Sequence, residues 1–460
     1  MEELPVPEPI ISVSGLRGIV GESLTPEVAI RYATAFAGIA SPGPILISRD
    51  GRPSGRMLAQ AIHAGLHAAG RDTLDAGILP TPSVGVLVRE VRAGGAVQIT
   101  ASHNPSPYNG LKLFSADGRI IPAGPGQEVL DRYRAGRIDW AAHDRLGAGR
   151  ECVDVLSPHL HAVLSIVNYA AIRERQYTVL LDANRGAGSF LGRRVLEELG
   201  CYVTVLGEEQ DGQFEHPPEP TAENLDGVRA EVAASGARIG FCQDPDADRL
   251  AVIDEHGRYL GEEYTVALCV DHVLRSRKGP VVINCATSRM SQDLAEHYGV
   301  PLVRAAVGEA NVVDAMLEHN AVFGGEGNGG PIDPRVGLVR DSFVGMALLL
   351  DAMTARGASI GELADALPRY EIVKTKIELP SEAVAAGMDA LQSHFSDAEP
   401  NRLDGLRLDW PDRWLLVRPS NTEPIVRAIA EAKTADLAHG LCREAAKLLR
   451  RNGSPEQLPK

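Results

Sequence analysis

The chain has 460 residues, room for about three domains at ~150 residues each, and its 44% hydrophobic and 23% charged fractions lie near the globular averages of roughly 45–50% and 25%, which excludes a disordered or fibrous chain. A formal net charge of −15 has the wrong sign for a binder of phosphate backbones, and 5% aromatics leave few stacking platforms for single strands, so no nucleic acid partner is expected. Net charge constrains a whole surface and not one cleft, which leaves room for a basic pocket that takes a small anion.

The start, Met1-Glu2-Glu3-Leu4-Pro5, carries acids and proline where a secretion signal would carry positive charge and then an apolar run, so the expected compartment is the cytoplasm. From about Pro44 onward short apolar runs alternate with amphipathic segments, the pattern of α/β layers. The first unit should have strands at residues 45–48 and 96–100, with an Ala-rich helix at 56–69 between them. The second should have strands at 178–182, 202–206 and 238–242 and a helix at 189–199; the third, strands at 280–284, 302–304 and 322–324 with helices between them. The longest apolar stretch, residues 343–350, is far short of the ~20 residues that span a bilayer, so it reads as a buried helix and no membrane partner is expected. After Tyr370 the order changes to strand, helix, two strands and a final helix at 434–451, a smaller α+β unit. Breaks at 147–154, 254–257 and 367–370 divide the chain into domains 1–152, 153–256, 257–369 and 370–460. The first three share an element order but no fixed-period identity, which excludes a solenoid. Six scattered cysteines without a C-x-x-C pair read as free, mostly buried thiols in a reducing compartment.

Chemistry concentrates in four loops. Asp244-Pro245-Asp246-Ala247-Asp248-Arg249 places three carboxylates at alternate positions after a strand, a trio that can curl around one hard cation and would otherwise repel and raise its own pKa values. Mg²⁺ suits so small a ligand set; a calcium EF-hand is excluded by Arg249 where that loop needs Gly, and a solvated acidic turn is the plain alternative. Thr100-Ala101-Ser102-His103-Asn104-Pro105 sits at the carboxyl end of a strand, where ligands of open α/β sheets gather, so Ser102 is placed either for phosphoryl-carrier work or to cap a turn. No G-x-S-x-G elbow surrounds it, which argues against a hydrolase triad with His103. Arg418-Pro419-Ser420-Asn421-Thr422-Glu423-Pro424 offers a guanidinium, two hydroxyls, an amide and backbone N–H groups, either a phosphate cradle or a helix-capping turn. In Gly324-Gly325-Glu326-Gly327-Asn328-Gly329-Gly330, Glu326 and Asn328 could bond sugar hydroxyls, or the loop is a hinge. Gly186-Ala187-Gly188 fails the dinucleotide pattern because Gly192 arrives one position late, and His159 and His161 read as packing or surface residues.

Together and in this order, T-A-S-H-N-P, D-P-D-A-D-R and R-P-S-N-T-E-P make essentially the whole chain resemble the α-D-phosphohexomutase family. The resemblance implies an α/β protein of four domains, three related mixed α/β domains plus a smaller carboxy-terminal α+β domain, with one loop from each lining a central cleft. It implies reversible transfer of phosphate between the 6- and 1-hydroxyls of a hexose, an isomerase reaction, with a bisphosphorylated hexose as intermediate and activator. Ser102 would be carried as phosphoserine, with Mg²⁺ between its phosphoryl group and Asp244, Asp246 and Asp248. Ser14-Gly15-Leu16-Arg17-Gly18 resembles the family's amino-terminal S-G-I-R-G segment and adds Arg17 to the site. Lys112 matches the family lysine assigned to proton transfer, a task that needs burial or nearby cations to lower its pKa. Arg249 would offset charge on the transferring group, His103 stands beside the serine, and Arg418, Ser420, Asn421, Thr422 and Arg427 would hold the phosphate that is not reacting. Many members have Ser and His where this chain has Asn328 and Gly330, which sets the sugar loop apart. V-R-P-S-N-T-E-P and the S-G-L-R-G start are closest to the glucosamine phosphate branch; mannose and glucose phosphates are the alternative substrates. Rivals of another class are a non-catalytic sugar-phosphate binder and a Mg²⁺-dependent phosphatase. Arg17, Lys112, Arg249 and Arg418 are expected to converge in one positive pocket; oligomeric state is not encoded.

Overall fold

Runs such as Val281–Asn284 and Gly95–Ile99 are apolar beyond what a one-faced strand needs, and every residue of both is buried, as strands covered on two faces must be. The computed structural model describes residues 8–12, 15–419 and 425–452, and its strands form four sheets. The first has the spatial order Ile10–Ser12, Gly15–Ile19, Tyr108–Ser115, Gly95–Ile99, Ile45–Arg49, Thr73–Ile78, Gly149–Glu151. The second runs Leu250–Asp254, Ile239–Gln243, Thr178–Asp182, Tyr202–Leu206, and the third Leu302–Ala305, Val281–Asn284, Phe323–Glu326, Gly330–Ile332. Helices pack on these sheets, so the three units are mixed α/β, and the parallel strands lie where the apolar runs placed them.

One feature of the topology explains where the chemical loops lie. In each of these sheets one parallel strand turns directly back into an antiparallel neighbour: Gly95–Ile99 into Tyr108–Ser115, Ile239–Gln243 into Leu250–Asp254, and Phe323–Glu326 into Gly330–Ile332. The loops carrying Ser102, the three aspartates and Asn328 are those three reversals, each at the carboxyl end of a parallel strand. The repeat is therefore one of topology.

The fourth sheet is wholly antiparallel, ordered Glu371–Glu378, Ile425–Ala432, Trp414–Pro419, Leu406–Asp409, Glu399–Asn401. Four strands, not the expected two, lie between helices Ser381–His394 and Ala435–Asn452. Glu399–Asn401 is three exposed residues with a proline, and Leu406–Asp409 hides its alternation because Arg407 is buried 4.1 Å from the centre of the Trp414 ring. Ser14 and the central residues of the last loop, Ser420, Asn421 and Thr422, lie outside the described residues.

Helix Ser342–Arg356 contains the long apolar stretch, and residues 343–350 are all buried, as a helix apolar on every side must be. It packs in one core with Phe241 and Val252 of the second sheet's strands and Phe323 of the third's. Its N-cap, Asp341, accepts from the N–H groups of Phe343 and Val344 and lies 2.7 Å from Nε2 of buried His159, whose Nδ1 is 2.8 Å from Ser83 Oγ. His159 is thus a packing residue, in a polar clasp between three helices. Five of the six free cysteines are buried and Cys152 is half-buried. Among the described residues no helix is long and apolar enough to cross a membrane.

Candidate active site

Ser102 has left-handed backbone with φ 50°, which a residue bearing a Cβ holds only when its surroundings over-determine it. They do so here. Thr100 Oγ1 accepts from the Ser102 N–H at 2.9 Å, and the Arg52 guanidinium donates to the carbonyls of Ser102 (2.7 Å), Asn104 (2.6 Å), Pro105 (2.9 Å) and Tyr108 (3.1 Å). Arg52 is itself paired at 3.1 Å with Asp50, and both are buried just past the end of strand Ile45–Arg49. Sequence reading missed this pair, although Arg49-Asp50-Gly51-Arg52 sits at the same kind of strand end that singled out Ser102. The serine side chain faces the second domain: its Oγ donates to Asp244 Oδ2 at 2.9 Å and lies 3.3 Å from His103 Nδ1.

Asp244, Asp246 and Asp248 are fully buried, with one oxygen of each within 4.8 Å of the others. Asp246 Oδ1 and Asp248 Oδ1 have no hydrogen-bond partner among the described residues, a costly state for buried carboxylate oxygens that a cation would relieve. The trio therefore fits a hard divalent ion. Its other oxygens are tied down: Lys112 Nζ donates to Asp246 Oδ2 at 2.5 Å and Asp248 Oδ2 at 2.8 Å, Thr81 Oγ1 to Asp246 Oδ2 at 2.5 Å, and Arg340 Nη2 to Asp248 Oδ2 at 2.7 Å. Burial and then the charges of Asp246 and Asp248 push the Asp244 carboxyl well above its ordinary value. Asp248 goes the other way, because Arg340, Lys112 and Arg249 together outweigh its burial. Lys112 corrects an expectation: burial does depress its ammonium, but Asp246 and Asp248 overcome that and hold it above the ordinary lysine value.

Arg17 Nη1 donates to Asn104 Oδ1 at 2.8 Å, and no carboxylate among the described residues lies within ion-pair distance of it. Arg249 meets carboxylates only at long range, Asp248 at 3.9 Å and Glu219 at 4.0 Å, and its buried Nε has no hydrogen-bond partner among those residues. Burial, then the positive charges of Arg249 and Arg17, push the His103 imidazole down to about 2, so the ring beside Ser102 is neutral. Arg17, Lys112 and Arg249 thus gather around Ser102 and the trio, and two of these cations have charge to spare for an anion.

Arg418 is paired within its own domain. Its Nε lies 3.1 Å from Asp404, an acid of its own domain, and it faces Arg427 in register across the strands that flank residues 420–424. The sugar-loop residues are tied into the protein on several sides. Glu326 Oε1 accepts from Asn284 Nδ2 at 2.7 Å and the Gly308 N–H at 3.0 Å, and its Oε2 accepts from Arg340 Nη1 at 2.9 Å. With its amide turned to suit both neighbours, Asn328 accepts from Arg340 Nη1 at 2.7 Å and donates to the Glu326 carbonyl at 3.3 Å. Arg340, with Glu309 on its Nε at 3.0 Å, was invisible to sequence reading because nothing near it in the chain marks it. The glycines here serve close packing: the carbonyl of Gly329, at φ 78°, accepts from the Leu250 N–H at 2.9 Å, seating the loop on the strand that leaves the aspartates.

Three mixed α/β domains whose strand-end loops set a buried serine against three aspartates, followed by a smaller α+β domain, define a phosphohexomutase architecture, and comparison with known proteins agrees. The chain matches the phosphoglucomutase/phosphomannomutase alpha/beta/alpha domains I, II and III over residues 10–137, 157–257 and 262–370 and the C-terminal domain over 375–448. It is 36% identical over 444 residues to a phosphoglucomutase/phosphomannomutase of Thermococcus kodakarensis, covering 95% of this chain and 97% of that one. A protein of Pyrococcus abyssi named "Probable phosphoglucosamine mutase" is 34% identical over 445 residues, with the same shares covered. A crystal structure of a phosphoglucomutase/phosphomannomutase family protein from Burkholderia thailandensis superposes with a TM-score of 0.84 at 28% identity, over 97% of this chain and 99% of that one. The chain belongs to the phosphoglucomutase/phosphomannomutase family. It is accordingly an isomerase that moves phosphate on a hexose.

Proposed function

We propose that this chain interconverts hexose 6-phosphate and hexose 1-phosphate by way of a phosphoryl group carried on Ser102, as a cytoplasmic enzyme. The observation that carries the reading is Ser102 Oγ held 2.9 Å from Asp244 in a strained, over-determined turn. In the first half of the cycle a free sugar hydroxyl attacks the phosphorus; the bond from phosphorus to Ser102 Oγ breaks and a bisphosphorylated hexose forms. The sugar then turns, and Ser102 Oγ attacks its other phosphate, breaking the bond from that phosphorus to the sugar oxygen and restoring phosphoserine. Asp244, Asp246 and Asp248 would hold Mg²⁺, which when bound supplies positive charge against the transferring phosphoryl group. Arg17 and Arg249 bring further positive charge to the same oxygens, preorganised by their surroundings. Lys112, kept protonated beside two carboxylates, takes the acid half of the proton transfer, giving its proton to the oxygen that leaves phosphorus and being restored by the proton that the attacking hydroxyl sheds. The loop at residues 418–424, with Arg427, grips the phosphate that is not reacting, while Glu326 and Asn328 meet the hydroxyls.

Glucosamine phosphate is the lead substrate, on V-R-P-S-N-T-E-P and on the name of the Pyrococcus relative; the name of the Thermococcus relative favours mannose and glucose phosphates as the second reading. The test is peptide mapping for phosphate on Ser102 together with a rate panel over glucosamine, N-acetylglucosamine, glucose and mannose phosphates. Ser102→Ala should carry no phosphate and turn over none of them, with or without a bisphosphate. Full activity in that variant overturns the carrier mechanism; release of inorganic phosphate in place of isomer would make the chain a phosphatase.

A further inference from the structure

The guanidinium of Arg340 touches both halves of the site at once. Nη2 holds Asp248 at 2.7 Å, Nη1 holds Glu326 at 2.9 Å and Asn328 at 2.7 Å, and Nε holds Glu309 at 3.0 Å. Three carboxylates from three different elements therefore converge on one cation that is 8% exposed. The arrangement is pinned from behind as well. The Arg340 N–H donates to Glu309 Oε1 at 3.1 Å, and the next residue, Asp341, donates its N–H to the Pro331 carbonyl at 2.9 Å while capping the buried helix Ser342–Arg356. On the other side the space is taken up completely: a Cβ at Gly330 would sit 2.3 Å from Arg340 Cδ and 2.7 Å from its Cγ. Gly330 has no side chain because the Arg340 stem lies where that side chain would be.

We propose that Arg340 is a positioning residue that sets the aspartate loop and the sugar loop in one fixed relation, and that it decides which oxygen of Asp248 is presented to the metal. The proposal rests on the reading of the trio as a Mg²⁺ site. Asp248 Oδ2 is bound by Arg340 and Lys112, and only Oδ1 is left without a hydrogen-bond partner among the described residues. A carboxylate held by one oxygen cannot rotate, so the other oxygen is aimed. The rival is that Arg340 merely neutralises buried acids. The two differ in what lysine can do: it carries the same charge but lacks the planar fork that reaches Asp248, Glu326 and Glu309 together.

The experiment is calorimetric titration of the full chain with Mg²⁺, alongside hexose phosphate kinetics, for wild type, Arg340→Lys, Gly330→Ala and Asp246→Asn. Arg340→Lys should keep a thermal midpoint near that of wild type yet bind Mg²⁺ about tenfold more weakly or worse, as removal of partners behind metal ligands does. Gly330→Ala changes no charge and should weaken Mg²⁺ in the same direction by pushing the Arg340 stem aside. Wild-type Mg²⁺ affinity in both Arg340→Lys and Gly330→Ala, with binding lost in Asp246→Asn, overturns the proposal and leaves the metal site standing. Undiminished affinity in Asp246→Asn overturns the metal site and the proposal together. Should Arg340→Lys not fold, Gly330→Ala alone decides.

Discussion

Thr81 and Asp246 are bonded twice: Thr81 Oγ1 donates to Asp246 Oδ2 at 2.5 Å, and the Thr81 N–H donates to the Asp246 carbonyl at 2.9 Å. Thr81 opens helix Thr81–Glu90, so the positive end of that helix in the first domain meets a carboxylate of the second. Thr81→Val keeps the shape and removes the hydroxyl donor. Its kcat/KM should fall about tenfold or more, the usual scale for lost partners of metal-binding groups, whereas Thr81→Ser should stay close to wild type. Steady-state rates with a hexose phosphate decide it; an active Thr81→Val would detach Thr81 from the site.

Arg52 makes a stability prediction separable from activity. Its removal in Arg52→Met strands Asp50, buried and left with Thr100 Oγ1 and the backbone N–H of residue 52, and should cost about 3–5 kcal/mol in urea unfolding. Asp50→Asn/Arg52→Met no longer buries an unpaired charge and should recover much of that loss. Neither variant should turn over substrate, because four carbonyls of residues 102–108 lose their common donor. A double variant that regains activity with stability would show that Arg52 does not shape the serine loop.

These examples mark what sequence could and could not reveal. The Asp244, Asp246 and Asp248 trio and the Thr100–Pro105 turn are legible because their chemistry is dense over a few consecutive residues, and the parallel strands because both faces are apolar. Thr81, Arg340 and Arg52 are single residues whose partners are distant in the chain: Thr81 is 165 positions from Asp246, Arg340 is 92 from Asp248, and Arg52 is 50 from Ser102. Only sheet topology brings them together, and local composition carries no trace of it. Motif reading likewise supplied Lys112 and Glu326 as groups but not their states, since both depend on which neighbour takes their bonds. The two extra strands after residue 398 were missed for local reasons: Glu399–Asn401, exposed and with a proline, has no alternation to read, and in Leu406–Asp409 a buried Arg407 hides it.

His216 gives the chain a pH dependence with a definite sign. Its Nε2 lies 2.9 Å from buried Asp182, and although burial lowers the imidazole, the hydrogen bond and charge of Asp182 outweigh it and raise the ring above its ordinary value of ~6.5. A group raised on folding contributes stability that is fully present below the unfolded value and is lost as pH rises through the folded one. Urea midpoints of wild type should therefore fall from pH 6 toward pH 9 more steeply than those of His216→Gln. Parallel curves for the two proteins would show that the pair contributes nothing to folding.

Glu431 lies on the seam between the third and fourth domains. Glu431, fully buried, accepts from Ser288 Oγ at 2.5 Å, the Arg289 N–H at 2.8 Å and Trp414 Nε1 at 2.5 Å. Burial raises its carboxyl, which those donors only partly offset. Glu431→Gln can keep its amide oxygen toward Arg289 and Trp414 and turn its NH₂ to Ser288, whose hydroxyl rotates to accept, so it should cost no more than about 1 kcal/mol. Glu431→Met orphans all three donors at about 1–3 kcal/mol each and should loosen the fourth domain, raising KM for the sugar phosphate more than it lowers kcat. Urea unfolding and steady-state kinetics on the two variants check this. Equal losses in Gln and Met would mean that charge, and not donor satisfaction, holds the seam.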